Sequence, residues 1–302
     1  MSEHARVALS GASGLVGRAV RAELEASEYR VVPLVRDPTR AGTGAAVLWS
    51  PERGIFEPTR VEGLKAVVHL AGENIAGRRW TARQKKRIRE SRVEGTRALC
   101  ESLAGLKKKP EVLICASAIG IYGHGQRAVD ETAKAGEDFL AKVCRDWEEA
   151  CAEAAAAGIR VVNFRIGVVL SPEGGALGKM LLPFKFGVGG RVGSGNQWMS
   201  WIHIDDAAGA VRHCIEDDAY RGPVNAVAPN PVTNAEFAKT LGKVLRRPAV
   251  LPMPAFAARL AFGEMADSIL INGQRVLPRR LEAEGYPFEH GTLEGALRSF
   301  NL

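Results

Sequence analysis

Three glycines, Gly11, Gly14 and Gly17, fall in the stretch ALSGASGLVGRAV, between an apolar run and the start of a helical pattern. In a first βα turn this spacing suits a diphosphate. Gly11 permits the tight turn, Gly14 removes a side chain where phosphates must approach the backbone, and Gly17 lets helix and strand pack closely. The helix start adds free N–H groups and a positive dipole end. Residues Gly11, Ala12, Ser13, Gly14, Leu15, Val16 and Gly17 are therefore expected to form the cradle of a dinucleotide. The rival reading is an ordinary glycine-rich turn, and the strand before, helix after and second strand beyond favour the cradle.

The second apolar run, RVVPLV, ends at Val35 and is followed by Arg36. A binder of the non-phosphorylated dinucleotide usually places an acid there, on the ribose hydroxyls; a guanidinium suits a 2′-phosphate. NADP(H) is the expected cofactor, with Asp37 as the feature that argues for NAD(H) instead. A third clue is Arg92. On a helix starting near Thr81, residues Ile88, Arg92, Thr96, Leu99 and Leu103 recur at spacings of 4, 4, 3 and 4, which puts a cation on the apolar face. Such a residue either meets an anion or snorkels at the edge of that face.

These groups must be positioned by a sheet. RVALSG, RVVPLVR, AVVHLAG, VLICASAIGIYG and IRVVNFRIGVVL read as strands alternating with amphipathic helices, one of them from about Asp138 to Ala157. The pattern predicts an α/β fold: a Rossmann-type doubly wound parallel sheet with a smaller, mostly helical C-terminal substrate lobe. After Leu170 the chain becomes glycine-rich, returns at WIHIDDAAGAVRHCIE with Asp205 as the expected helix cap, and adds VNAVAP as a further strand. The expected division is residues 1–168 and 203–230 for the dinucleotide-binding domain, and 169–202 and 231–302 for the substrate lobe.

With 302 residues, 46% hydrophobic, the chain is long enough for a large domain and an appended lobe. Five scattered cysteines fit a reducing compartment, and MSEHARVAL lacks the apolar run of a signal peptide. No stretch approaches a membrane span. A cytoplasmic protein without membrane or nucleic-acid partners is expected. The formal net charge of +7 and the basic run RRWTARQKKRIRESR are read as a solvated helix face, because no aromatic interleaving accompanies the charge. His203, Asp205 and Asp206 lack supporting histidines, so no metal site is expected.

GASGLVG, HLAGENIAGRRW, SAIGIYG, RIGVVL and SWIHIDD occur in an order that resembles the extended short-chain dehydrogenase/reductases. HLAGENIAGRRWT, IRESRVEGT, LLPFKFGVGGRVGSGNQWMSWIHIDD and NAVAPNPVTNAEFAKTLG look more closely like its atypical epimerase-family branch, the SDR39U1-like proteins, and the resemblance covers essentially the whole chain. It implies that Leu70, Ala71 and Gly72 line the adenosine side, that Glu73 and Asn74 begin a characteristic loop, and that Arg92 reaches back to the cofactor. Ser117 and Val168 would border the nicotinamide, while Arg165 is left without an assigned role. Gln197, Trp198, Trp201 and His203 stand where related proteins build a substrate pocket, with core packing as the competing account of the tryptophans.

The superfamily's reaction relies on a tyrosine with a lysine four residues on. No such pair exists here: EDFLAKVCRDWEEA puts Phe139 or Leu140 near the tyrosine position and Lys142 out of step. Tyr122, five residues after Ser117, is the nearest hydroxyl, and Ser117 and Tyr122 are the candidate catalytic residues; strand-end packing is the rival role for Tyr122. The expected function is an NADP(H)-dependent oxidoreductase or epimerase-like enzyme acting on an unidentified carbonyl or sugar-nucleotide-like small molecule. The alternative is an NADPH-binding sensor or scaffold with little turnover.

Overall fold

The structure is a computed structural model that describes residues 4–37, 39 and 46–302. The first half contains β1 (Arg6–Ser10), α1 (Leu15–Ala26), β2 (Arg30–Val35), β3 (Val47–Ser50), β4 (Gly54–Ile55), β5 (Ala66–His69), α2 (Ala82–Ala104) and β6 (Val112–Ala118). Next come β7 (Gly125–Val129), α3 (Phe139–Glu149), α4 (Ala152–Ala156), β8 (Arg160–Ile166), β9 (Val168–Ser171) and α5 (Gly175–Lys185). They are followed by β10 (Trp198–Met199), β11 (Trp201–His203), α6 (Ile204–Glu216), β12 (Gly222–Ala226) and β13 (Val232–Thr233). The C-terminal part supplies α7 (Asn234–Leu245), α8 (Ala255–Phe262), β14 (Gln274–Val276), α9 (Arg279–Ala283) and α10 (Leu293–Ser299).

Among the described residues the main sheet has eight strands in the order β12-β8-β6-β5-β1-β2-β3-β4, parallel except where β4 turns back on β3. Alternation along each strand feeds two cores. Val7, Leu9, Val112 and Ile114 face the side covered by α1 and α6, while Ala8, Leu113 and Cys115 face the side covered by α2 and α4. All four residues of β5 are buried, as a central parallel strand requires. A third core, holding Trp201, Phe237, Leu241 and Leu297, lies beneath the C-terminal helical region.

Three local expectations change. The helix expected over 138–157 is two, α3 and α4, joined at Ala150 and Cys151. The long strand RVVNFRIGVVL is interrupted at Gly167, where a Cβ would stand 2.6 Å from the Ser200 carbonyl oxygen, so β9 leaves the main sheet and pairs with β11. β3 and β4, too short to show a period, went unread. The basic helix α2 begins where Thr81 caps it, accepting from the Gln84 N–H at 3.2 Å. Its exposed charges are largely met: Arg87 pairs with Glu73, Arg89 with Asp146 and Lys85 with Glu264. All five cysteines are free thiols in the interior, and no helix among the described residues is long and apolar enough to cross a membrane.

Candidate cofactor and catalytic site

The carboxyl ends of β1, β2 and β5 lie side by side, and the crevice outside them is where open α/β sheets take ligands. A cavity of about 540 Å³ opens there. Its described lining brings together Gly11, Ala12, Ser13, Gly14, Arg36, Leu70, Ala71 and Gly72, with Asp37 and Trp49 beside them. Arg36 is exposed at this rim. The Asp37 carboxylate accepts from the backbone N–H of Thr39 at 3.0 Å and its hydroxyl at 2.7 Å.

The glycines divide the work of the turn. Gly11 has φ +72°, and a Cβ there would approach the Leu70 carbonyl carbon to 2.8 Å. At Gly17 a Cβ would stand 2.1 Å from the Gly11 carbonyl oxygen, so only glycine lets α1 rest on the turn. Gly14, exposed, closes the loop through its N–H to Gly11 O at 2.9 Å and starts α1 without a side-chain cap. The helix therefore presents its first N–H groups to the cavity. Leu15 and Val16 do not line it: Leu15 packs near Gly174 and Gly175, and Val16 against the main core.

The opposite wall is set by a buried hydroxyl. Ser10 Oγ accepts from the N–H groups of Leu70 (3.2 Å) and Ala71 (3.3 Å), so its own proton goes to His69 Nδ1 at 2.7 Å. His69 is fully buried, its ring edge-on to Trp49, and burial lowers its pKa from 6.5 to about 4. As pH falls, the unfolded chain takes this proton first, so stability is whole above pH 6.5 and drains away down to about 4. The loss approaches about 3 kcal/mol. His69→Asn keeps an acceptor for Ser10 without the titration. Urea unfolding at neutral and acidic pH is expected to show a shallower pH dependence in the variant, with His203 responsible for part of what remains.

Arg92 does lie on the inner face of α2, with Ile88, Thr96, Leu99 and Leu103 wholly buried around it. Its guanidinium donates to the carbonyls of Glu73 (3.0 Å) and Ile88 (3.2 Å), stacks over Trp147 at 5.1 Å and packs on Gly72. Burial lowers its pKa, partly countered by the charge of Glu73, and among the described residues no carboxylate is hydrogen-bonded to it. Glu73 is held by Ser91, Gln84 and Arg87, and Asn74 caps its own loop by accepting from the Ala76 N–H at 2.9 Å.

Ser117 and Tyr122 join one buried network. Ser117 Oγ donates to Glu148 Oε1 at 2.7 Å; Arg165 meets both oxygens of that carboxylate at 2.8 Å each and donates through Nη1 to the Tyr122 hydroxyl, also at 2.8 Å. The Tyr122 hydroxyl donates to Asn225 Oδ1 at 2.7 Å. Burial alone would lower the Arg165 pKa, but the bonds and charge of Glu148, with Tyr122, raise it overall. Burial pushes Tyr122 up to about 12. Its proton and a lone pair are both engaged, which matches the packing role that the sequence reading held as the rival. Glu148 was missed, because only the tertiary fold brings this residue of α3 to Ser117 and Arg165.

At the position of the superfamily's tyrosine the structure places apolar side chains. Phe139 stacks edge-on to Trp80 at 5.4 Å, Leu140 lies against Gly120, and Cys144, four residues after Leu140, is buried. Lys142 points to solvent.

The structure buries two of the four expected substrate residues, Trp201 and His203. Trp201 is fully buried in the third core, its Nε1 donating to Asn230 O at 3.1 Å. His203, 1% exposed, stacks on Phe300 and His290 and accepts the Asp205 N–H on Nδ1, so His203, not Asp205, caps α6. Its Nε2 faces Ser299 Oγ at 3.1 Å, and ligand atoms of His203, Asp205 and His290 lie within 4.8 Å of one another, so the fold supplies beside His203 and Asp205 the supporting histidine that the sequence reading did not find. Gln197 Nε2 is spent on the carbonyls of Val192 and Leu270, and Trp198 is half-buried beneath Arg275. For Trp201 and His203 core packing wins, because the pairing of β9 with β11 turns both side chains inward. Val168, opposite Trp201, packs on the same third core.

Residues 7–226 match the model of the NAD dependent epimerase/dehydratase family, and residues 253–300 match a domain of unknown function, DUF1731. An epimerase family protein of Mycobacterium bovis is 45% identical over 296 residues, covering 97% of each chain. Epimerase family protein SDR39U1 of Homo sapiens is 36% identical, covering 97% of this chain and 98% of its own. A crystal structure of human SDR39U1 (isoform 2) with NADPH superposes with a TM-score of 0.87 at 34% identity, covering 98% of both chains. A structure from Corynebacterium glutamicum, described as a nucleoside-diphosphate sugar epimerase, gives 0.79 at 37% identity over 99% of this chain and 58% of that one. With that coverage and identity, the chain belongs to the NAD dependent epimerase/dehydratase family, in its epimerase family protein branch.

Proposed function

We propose that this protein binds NADP(H) at the glycine turn and uses it in hydride transfer from NADPH to a carbonyl, or from the corresponding alcohol to NADP+, on a carbonyl or sugar-nucleotide-like small molecule. The observation that carries the reading is that Arg36 lines the same cavity as the uncapped start of α1. The diphosphate would take the α1 N–H groups, and Arg36 the 2′-phosphate, while Arg92 offers a cation that, among the described residues, is hydrogen-bonded only to carbonyl oxygens. The NADPH in the human relative's crystal structure supports the choice of cofactor. When bound, the dinucleotide would supply the hydride in its reduced form and accept it in its oxidised form. Ser117, at the carboxyl end of β6, would contact the substrate oxygen, with Glu148 and Arg165 fixing its rotamer.

The absence of a tyrosine at Leu140 and the engaged hydroxyl of Tyr122 favour the second reading, an NADPH sensor with little turnover. Calorimetry is expected to show NADPH binding more tightly than NADH by roughly 10–100-fold, as hydrogen bonds to a charged group contribute about 1.5–3 kcal/mol. Arg36→Ala removes that preference. A folded protein that binds neither dinucleotide refutes the reading. In a turnover assay over carbonyl compounds and nucleotide sugars, Ser117→Ala falls by at least roughly tenfold, and a complete lack of NADPH oxidation by the unaltered chain selects the sensor.

A further inference from the structure

Beyond the dinucleotide site, the surface of the C-terminal region is unlike the rest of the molecule. Phe186 and Val250 are each 75% exposed, Phe256 72% and Leu260 77%, with Leu182 and Val188 more than half exposed. Isolated exposed apolar residues are ordinary, but a contiguous group marks a contact surface. These are contiguous. The segment after α5 and the segment before α8 are joined by a bridge between Val192 and Met253, with Met253 N–H on Arg191 O and Gly193 N–H on Met253 O, both 2.9 Å. Arg247 donates to Lys185 O at 3.0 Å, and Gly187 lies against Pro248. Phe256 and Leu260, one turn apart on α8, extend the same face, of which only Ala258 is buried.

The charge is equally one-sided. Residues 174–204 and 237–263 together contain eight lysines and arginines and not one aspartate or glutamate, whereas the whole chain has a formal charge of +7. The rest of the protein is therefore close to neutral. Lys185, Arg191, Arg246 and Arg247 surround the apolar group and are exposed. Among the described residues none of the four is ion-paired; Arg191 and Arg247 bond only carbonyl oxygens.

We propose that this face docks on an anionic lipid surface, with Phe186, Val250, Phe256 and Leu260 entering the acyl boundary and the four cations at the level of the headgroup phosphates. Charge selects the occupant. A second copy meeting this face across a two-fold axis would bring the same cations against one another. Side chains three-quarters exposed form protrusions, and a fluid acyl layer accepts protrusions without a matching shape, while adjacent basic residues add attraction to anionic headgroups. Attachment of this kind needs no spanning helix, which is all that the apolar pattern of the sequence excludes.

Co-sedimentation with vesicles tests the proposal. With vesicles of phosphatidylcholine containing roughly one-third phosphatidylglycerol, most of the protein is expected to pellet, and with phosphatidylcholine alone little; high salt reduces the anionic binding. Phe256→Ser with Leu260→Ser, and separately Arg246→Glu with Arg247→Glu, are each expected to lower partitioning by at least roughly tenfold. Undiminished NADPH binding shows that the variants are folded. No pelleting with either vesicle, or equal pelleting of the unaltered chain and both variants, overturns the proposal. So does size-exclusion behaviour in which the unaltered chain is a dimer without lipid and Phe256→Ser with Leu260→Ser makes it a monomer, since the face is then covered by a second copy. Failure here leaves the NADPH measurements untouched.

Discussion

A chain carrying Gly17→Ala is expected to lose NADPH binding by roughly 100-fold or more and to become less stable by about 1–3 kcal/mol, the usual cost of forcing atoms into a packed site. The reason is that every atom the new Cβ would strike is backbone. The new Cβ would lie 2.1 Å from the Gly11 carbonyl oxygen and 2.8 Å from its carbon, so relief requires α1 to lift from the turn. That motion changes the direction of the helix start and the position of Gly11 together. Gly11 is itself pinned by Leu70 and by φ +72°, which leaves the turn little room to yield.

Gly14→Ala separates the two effects. Its Cβ would come no closer than 3.3 Å to the Gly11 oxygen, and it would project from an exposed position at the helix start. Stability should therefore change by only a few tenths of a kcal/mol, as at other exposed substitutions, while NADPH affinity falls roughly tenfold because a methyl group occupies the approach of the diphosphate. Urea unfolding without cofactor, paired with calorimetry, checks both. If Gly14→Ala binds NADPH as tightly as the unaltered chain, the diphosphate does not lie over this turn.

What could be read in advance follows from how local each signal is. The glycine spacing and the face of α2 are set within a dozen residues, so Gly11, Gly17 and the inward turn of Arg92 were visible in the sequence. The buried strands β5 and β6 announced themselves because parallel strands covered on both faces are apolar throughout. The roles of Trp201 and His203 were not visible, since they depend on β9 leaving the main sheet at Gly167 to pair with β11, a contact made across more than thirty residues. The cap on α6 shows the same limit: Asp205 has the usual chemistry for a cap, but His203 holds the position because its ring is already immobilised between Phe300 and His290. Glu148 looked like one more acid on an amphipathic helix. Only the fold brings β6, β8 and α3 close enough to give it Ser117 and Arg165.

That carboxylate is expected to matter most to stability. Glu148→Ala should lower the unfolding free energy by about 3–5 kcal/mol, because it leaves the Arg165 guanidinium, 8% exposed, without its counter-charge in the interior. Arg165→Met strands Glu148, 14% exposed, and is expected to cost somewhat less, since the carboxylate keeps Ser117 as a donor. Combining Glu148→Leu with Arg165→Met removes both charges and refills the space, so a large part of the loss should return. Such recovery means that the pair is costly to break rather than strongly stabilising in itself. The network also joins β6 to β12 through Tyr122 and Asn225, and Asn225 is anchored by Glu131, which accepts the Arg280 N–H from the C-terminal region. A break at Glu148 should consequently loosen the site at Ser117 as well as the fold. Chemical denaturation of the two single variants and the double variant tests this: strictly additive losses would mean that Glu148 and Arg165 do not act as a coupled pair.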